Sequence, residues 1–132
     1  MRTLIVDDDP VCRAVLQHAL MAYGPISFAD NGVEAIAAVA AQLAKGEPFD
    51  LVTLDIMMPD MDGHQTLKAI RRLEVLFKVG HDVKVAVTSA MGDKDSIFAS
   101  FREQADLYFV KPIRLDQLMD ELRTHQLIAV RA

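Results

Sequence analysis

Three consecutive aspartates, Asp7, Asp8 and Asp9, follow a short apolar run, and a fourth, Asp55, closes another. Each stands where a buried strand would end. In an open parallel α/β sheet that edge is where ligands bind. If the first and third strands are neighbours, these acids lie side by side. Clustered carboxylates repel one another unless a cation neutralises them. Hard oxygen donors at this density favour Mg²⁺, which binds a few carboxylates, keeps several waters and accepts phosphate oxygens. Asp7, Asp8 and Asp55 are the candidate ligands. Asp9, directly before Pro10, reads as a helix cap. Two more residues stand at strand ends: Ser89 and Lys111. A hydroxyl and an ammonium at one edge suit an anion with several acceptor oxygens. Asp55 also opens the segment Asp55-Ile56-Met57-Met58-Pro59-Asp60-Met61-Asp62-Gly63. A carboxylate followed by a Pro-containing turn and a Gly is a reactive group on a rigid mount.

The elements that must hold these residues alternate in type. Apolar runs predict strands over Thr3–Val6, Ile26–Ala29, Phe49–Leu54, Val83–Thr88 and Asp106–Val110. Helix-period segments lie between them: Pro10–Ala22, Val33–Lys45, Gly63–Lys78, Asp93–Glu103 and Leu115–Leu127. The spacing puts Val11, Ala14, Val15, Ala19 and Leu20 on one face of the first helix. In the third, Leu67, Ile70, Leu73, Val75 and Leu76 supply the apolar positions. In the last, Leu115, Leu118, Met119 and Leu122 form a core-facing stripe. Gly46 and Pro48 stop the second helix and Gly80 the third. Strict strand–helix alternation predicts an α/β fold, a doubly wound five-stranded parallel sheet with helices on both faces. The nearly continuous apolar strand interiors agree with burial on both sides.

At 132 residues, 52% hydrophobic and 25% charged, the chain is expected to fold as one globular domain. A net charge of −5 and no Lys/Arg-rich run give no footprint for direct nucleic-acid binding. Cys12, the sole cysteine, excludes an internal disulfide and fits a reducing, cytoplasmic compartment. It reads as a small buried hydrophobe rather than a reactive thiol. No apolar run reaches the ~20 residues of a membrane span. Met1-Arg2 leads straight into a strand, which leaves no room for a signal peptide. The expected division is a domain over 1–127 and a short tail, 128–132. Leu127, Ile128 and Val130 continue apolar there; a frayed tail is the expectation, with a dimer or partner contact as the alternative.

Val6-Asp7-Asp8, Asp55-x-x-Met58-Pro59-x-x-Asp62-Gly63, Ser89-Ala90 and Lys111-Pro112 together resemble the receiver domain of two-component response regulators. The resemblance covers residues 2 to about 126. It implies the flavodoxin-like strand order 2-1-3-4-5, which makes the first and third strands neighbours. It implies that Asp55 accepts a phosphoryl group. Mg²⁺ would be ligated by Asp8 and Asp55, by Asp7 mostly through water, and by the Met57 backbone carbonyl. Lys111 would contact the phosphoryl group, Ser89 would be the switch hydroxyl, and Tyr108 the switch aromatic. The implied donor is a sensor histidine kinase or phosphotransfer protein. The implied output is a surface of the fourth helix, fifth strand and final helix that binds a downstream target. A stand-alone regulator is expected over a receiver cut from a longer chain, as a monomer or a phosphorylation-dependent homodimer. Its only chemistry would be its own phosphorylation and dephosphorylation.

Met57 and Met91 depart from the single-domain chemotaxis type, where acidic or amide side chains help to place the hydrolytic water. Methionine cannot hold that water strongly, so a slow-decaying phosphoryl state is expected. Two rivals fit less of the chain. Asp7-Asp8-Asp9-Pro10-Val11 also resembles the nucleophile motif of haloacid-dehalogenase-type phosphatases, with Asp7 as nucleophile, but no strand after Lys111 remains for their last acidic motif. A non-phosphorylated receiver-like interaction module would lack one of the key residues, and none is missing. His18, His64, His81 and His125 match no metal-ligand spacing.

Overall fold

The computed structural model describes residues 1–56, 63–80, 82–90 and 105–129. In chain order these give β1 (Thr3–Val6), α1 (Pro10–Leu20), a 3-10 turn (Met21–Tyr23), β2 (Ile26–Ala29), α2 (Gly32–Ala44), β3 (Leu51–Asp55), α3 (Gly63–Leu76), β4 (Lys84–Ala90), β5 (Leu107–Lys111) and α4 (Leu115–Thr124). All strand pairings are parallel, in the order β2-β1-β3-β4-β5. This is the expected flavodoxin-like sheet. The helix expected over Asp93–Glu103 lies outside the described residues, which therefore hold four of the five expected helices.

Strand alternation sends side chains to two cores. One is built from Leu4, Val6, Val52, Leu54, Val85 and Val87 under α2 and α3. The other packs Ile5, Leu51, Ala86, Leu107 and Phe109 under α1 and α4. Cys12, Leu16 and Leu20 form the buried stripe of α1. This corrects the expected face: Val11 is 70% exposed, because the stripe is centred one residue further along. Similarly, Val75 and Leu76 at the end of α3 and Leu115 at the start of α4 are exposed rather than core-facing. Terminal turns project past the sheet they cover, so apolar spacing alone does not bury them.

Caps set the element ends. Asp9 Oδ1 accepts from the Val11 N–H at 3.0 Å, as its place before Pro10 predicts. Asn31 Oδ1 accepts from the Glu34 N–H, and Glu34 reaches back to the Asp30 N–H. Helices α2, α3 and α4 end in left-handed residues, Gly46 (φ 73), Lys78 (φ 53) and Gln126 (φ 62). Behind each, an N–H bonds a carbonyl five residues back: Glu47 to Gln42, Val79 to Glu74, Leu127 to Leu122. Helices α3 and α4 thus stop short of their expected ends, Lys78 and Leu127, at turns that no glycine marks. The last turn also folds the chain back. Leu127 packs against the α1/α4 core and Ile128, 8% exposed, joins it. Ile128 is therefore buried in its own molecule rather than open for a dimer contact, and Val130 lies outside the described residues.

Candidate functional site

Strand alternation decides which side chains meet at the C-terminal edge of the sheet. Asp7 lies two residues past Ile5, Asp55 four past Leu51, and Lys111 two past Phe109. All three therefore point to the α1/α4 face. The ladder runs further than the apolar runs do, so Asp55 and Lys111 are the last residues of β3 and β5, and Ser89 lies within β4. Ser89 and Tyr108 belong to the opposite face, beside Val87, which is Tyr108's register partner.

Lys111 joins the two buried acids. Its Nζ lies 3.0 Å from Asp55 Oδ2, as a hydrogen bond, and 3.0 Å from Asp7 Oδ2. The Asp7 contact is an ion pair without hydrogen-bond alignment, since Oδ2 has no directed donor. Asp7 Oδ1 accepts from the Asp9 N–H at 2.8 Å, which fixes the carboxylate plane. Burial on its own lowers the lysine's pKa. The hydrogen bond to Asp55 and the charges of Asp55 and Asp7 outweigh it, so the ammonium is held above its ordinary value. The Lys111-Pro112 bond is cis.

Asp8 is exposed, and its carboxylate completes a trio with Asp7 and Asp55 whose oxygens lie within 4.8 Å of one another. Three carboxylates and one ammonium leave two negative charges unbalanced. The donors are all hard oxygens, and Asp7 Oδ2 is a buried acceptor with capacity to spare. Asp7, Asp8 and Asp55 thus fit a divalent cation of the Mg²⁺ type. Met57 and Met91 lie outside the described residues, as does the Met58-Pro59-x-x-Asp62 part of the motif.

Tyr108 is half-buried against the α2/α3 core, and its hydroxyl donates to the Ala105 carbonyl at 3.3 Å. Ser89 is fully buried. Sequence reasoning did not place Cys12 here, although it lies one helical turn from the acids. Burial first, then the neighbouring Asp7 carboxylate, push the Cys12 thiol up to about 12. The neutral thiol is a poor nucleophile. Beside it, an apolar recess of about 280 Å³ is lined by Val11, Val15, Pro112 and Ile113, with Asp9 and Lys111 at its polar side. Among the described residues no helix is long and apolar enough to cross a membrane.

This geometry has counterparts. Residues 3–123 match the family model described as the response regulator receiver domain. The chain is 30% identical over 123 residues to the chemotaxis protein CheY of Bacillus subtilis, spanning 92% of this chain and 93% of that one. It is 35% identical over 118 residues to the two-component response regulator ORR24 of Oryza sativa, covering 89% of this chain but 17% of the plant protein. In three dimensions it is similar to the receiver domain of the histidine kinase CKI1 of Arabidopsis thaliana, crystallised with Mg²⁺ and BeF₃⁻. There the TM-score is 0.81 at 26% identity, over 96% of this chain and 90% of that one.

Proposed function

Since the chain belongs to the response regulator receiver domain family, and is a phosphoacceptor signalling switch, we propose that Asp55 is the residue that takes the phosphoryl group. The observation that carries this reading is the linkage of a buried Asp55 carboxylate to Asp7 through one ammonium, at the sheet edge. Receiver domains accept phosphate from histidine kinases and act on downstream targets. For this chain the donor is the phosphohistidine of a sensor kinase or phosphotransfer protein. Asp55 attacks phosphorus, an O–P bond forms, and the P–N bond to the donor imidazole breaks. Little covalent chemistry is asked of the protein; position and charge dominate. Lys111 offsets charge on the phosphoryl oxygens. Ser89 donates to one of them, and Tyr108 adjusts within its half-buried site. Asp7, Asp8, Asp55 and the Met57 carbonyl would hold Mg²⁺, which supplies charge neutralisation when bound.

Such regulators are signalling proteins rather than enzymes in the usual sense. Self-phosphorylation and self-dephosphorylation are the chemistry proposed here. The readout is a population shift at β5 and α4, together with the helix that the sequence predicts over Asp93–Glu103. The receiver domain is 1–127, with 128–132 a tail anchored through Ile128. The setting is cytoplasmic, and the protein is a monomer or a phosphorylation-dependent homodimer.

Incubation with phosphoramidate and MgCl₂ is expected to add one phosphoryl group to the parent protein, by intact mass, and none to Asp55→Ala. Retained modification in Asp55→Ala would overturn the assignment. Met57 and Met91 tune the lifetime of the product. The Met57→Asn plus Met91→Glu variant is expected to lose its phosphoryl group faster, and an unchanged decay would remove that role.

A further inference from the structure

β4 passes through Val85-Ala86-Val87 and then places two hydroxyls in succession, Thr88 and Ser89. Both are fully buried. Consecutive strand residues serve opposite faces, so the two hydroxyls cannot do the same work. Ser89 belongs to the α2/α3 face with Val87. Thr88 lies two residues past Ala86 and in register with Phe109, both in the α1/α4 core. That is also the face of Asp55, which is Thr88's register partner on β3. Neighbouring strands lie about 4.8 Å apart, so the two side chains are cross-strand neighbours on one face.

Thr88 Oγ1 is buried without a hydrogen-bond partner, and so is Thr53 Oγ1, two residues before Asp55 on the same face. Buried hydroxyls are nearly always paired, because an orphan forfeits its hydration for nothing. Valine offers the branched shape that a strand prefers without that penalty. Packing therefore does not account for the Thr88 hydroxyl, and its position does.

We propose that Thr88 is a positioning residue of the phosphorylation site, its hydroxyl donating to the Asp55 carboxyl once that group is released by Lys111. The inference rests on Asp55 as acceptor. In the resting arrangement Asp55 Oδ2 is held by Lys111 Nζ at 3.0 Å. When the ammonium turns to incoming phosphoryl oxygens, Asp55 loses that donor as it must hold its line of attack. A hydroxyl directly across the strand restrains it. A neutral donor binds a carboxylate more weakly than an ammonium does, so less of its nucleophilicity is masked.

The test pairs Thr88→Val, which keeps the shape, with Thr88→Ser, which keeps the hydroxyl. Phosphorylation rate with phosphoramidate and MgCl₂ and thermal midpoint are measured on both, with Asp55→Ala as control. Thr88→Val is expected to react about tenfold more slowly, the loss of one hydrogen bond to a charged group, while its midpoint holds or rises. Thr88→Ser is expected to stay within about twofold of the parent rate while its midpoint falls, because a buried methyl is lost. Opposite movements of rate and stability are what a purely structural threonine would not give. A parent-like rate in Thr88→Val, or an equal fall in both variants, overturns the proposal. Labelling that survives in Asp55→Ala overturns the acceptor assignment instead.

Discussion

Lys111→Met is expected to phosphorylate at least ~100-fold more slowly than the parent and to melt roughly 8 °C lower in metal-free buffer. The single ammonium is within 3.0 Å of both Asp7 and Asp55, and its side chain is 19% exposed. Methionine preserves the length of the stem and removes the charge, leaving two adjacent buried carboxylates facing each other. Breaking a buried pair costs about 3–5 kcal/mol. The lysine's partial exposure lets water and cations reach the gap, which reduces the expected loss to about 2–3 kcal/mol. Added MgCl₂ should therefore raise the midpoint more in the variant than in the parent, because it meets one more unbalanced charge. The kinetic loss has a separate origin: a donor to the transferring oxygens has gone. The pH dependence has a definite sign. A lysine whose folded pKa is raised contributes its full stabilisation below about 10.4, and loses it only as pH climbs through the folded value. Between pH 6 and 9 the ammonium is constant, so any rate change in the parent over that span comes from other groups. A variant that melts with the parent in EDTA, or reacts at the parent's rate, sinks this account.

The sequence revealed the site more completely than it revealed the packing around it. Strict alternation of strands and helices allowed one sheet type, and that sheet has one edge where Asp7, Asp8, Asp55 and Lys111 can meet. No detailed packing was needed to bring them together. Spacing says that a helix has an apolar face but not where that face is centred. Val11 and Val75 were therefore placed in the core, whereas both are exposed and Glu74, next to Val75, is buried. Glycine marks only one of the three left-handed helix ends, so Lys78 and Gln126 carried no signal. Thr88 and Ser89 set two hydroxyls side by side in the sequence. Only the register with Asp55 and Phe109 assigns them to different faces.

Glu74 shows why a buried acid escapes a reading by pattern. Arg71 and Glu74, three apart on a helix, look like a solvated ion pair worth a few tenths of a kcal/mol. In the folded chain Glu74 is 6% exposed, and the pair is part of a clamp. Arg71 Nη1 donates to Glu74 Oε1 at 2.9 Å and to the Val83 carbonyl at 2.7 Å, while Nη2 reaches Asp106 Oδ2 at 3.1 Å. Glu74 Oε2 accepts from the Val83 N–H at 2.6 Å, and Asp106 Oδ2 from the Val85 N–H at 2.9 Å. The clamp ties α3 to the entry of β4 and to the residue before β5, at the sheet edge opposite the phosphorylation site. Arg71→Met leaves a buried carboxylate with its cation removed. The expected loss is roughly 2–4 kcal/mol, the low end reflecting the quarter exposure of the arginine side chain. That corresponds to a midpoint lower by about 10 °C. Adding Glu74→Leu to the same chain should recover part of the loss, since an apolar side chain replaces an unpaired charge. Recovery stays incomplete because the Val83 N–H then lacks its acceptor. Phosphorylation at 20 °C should stay within about twofold of the parent, because the clamp lies at the opposite end of the strands from the groups that meet the phosphoryl oxygens. An Arg71→Met midpoint equal to the parent's would return the pair to the surface, as a contact that the rest of the fold does not need.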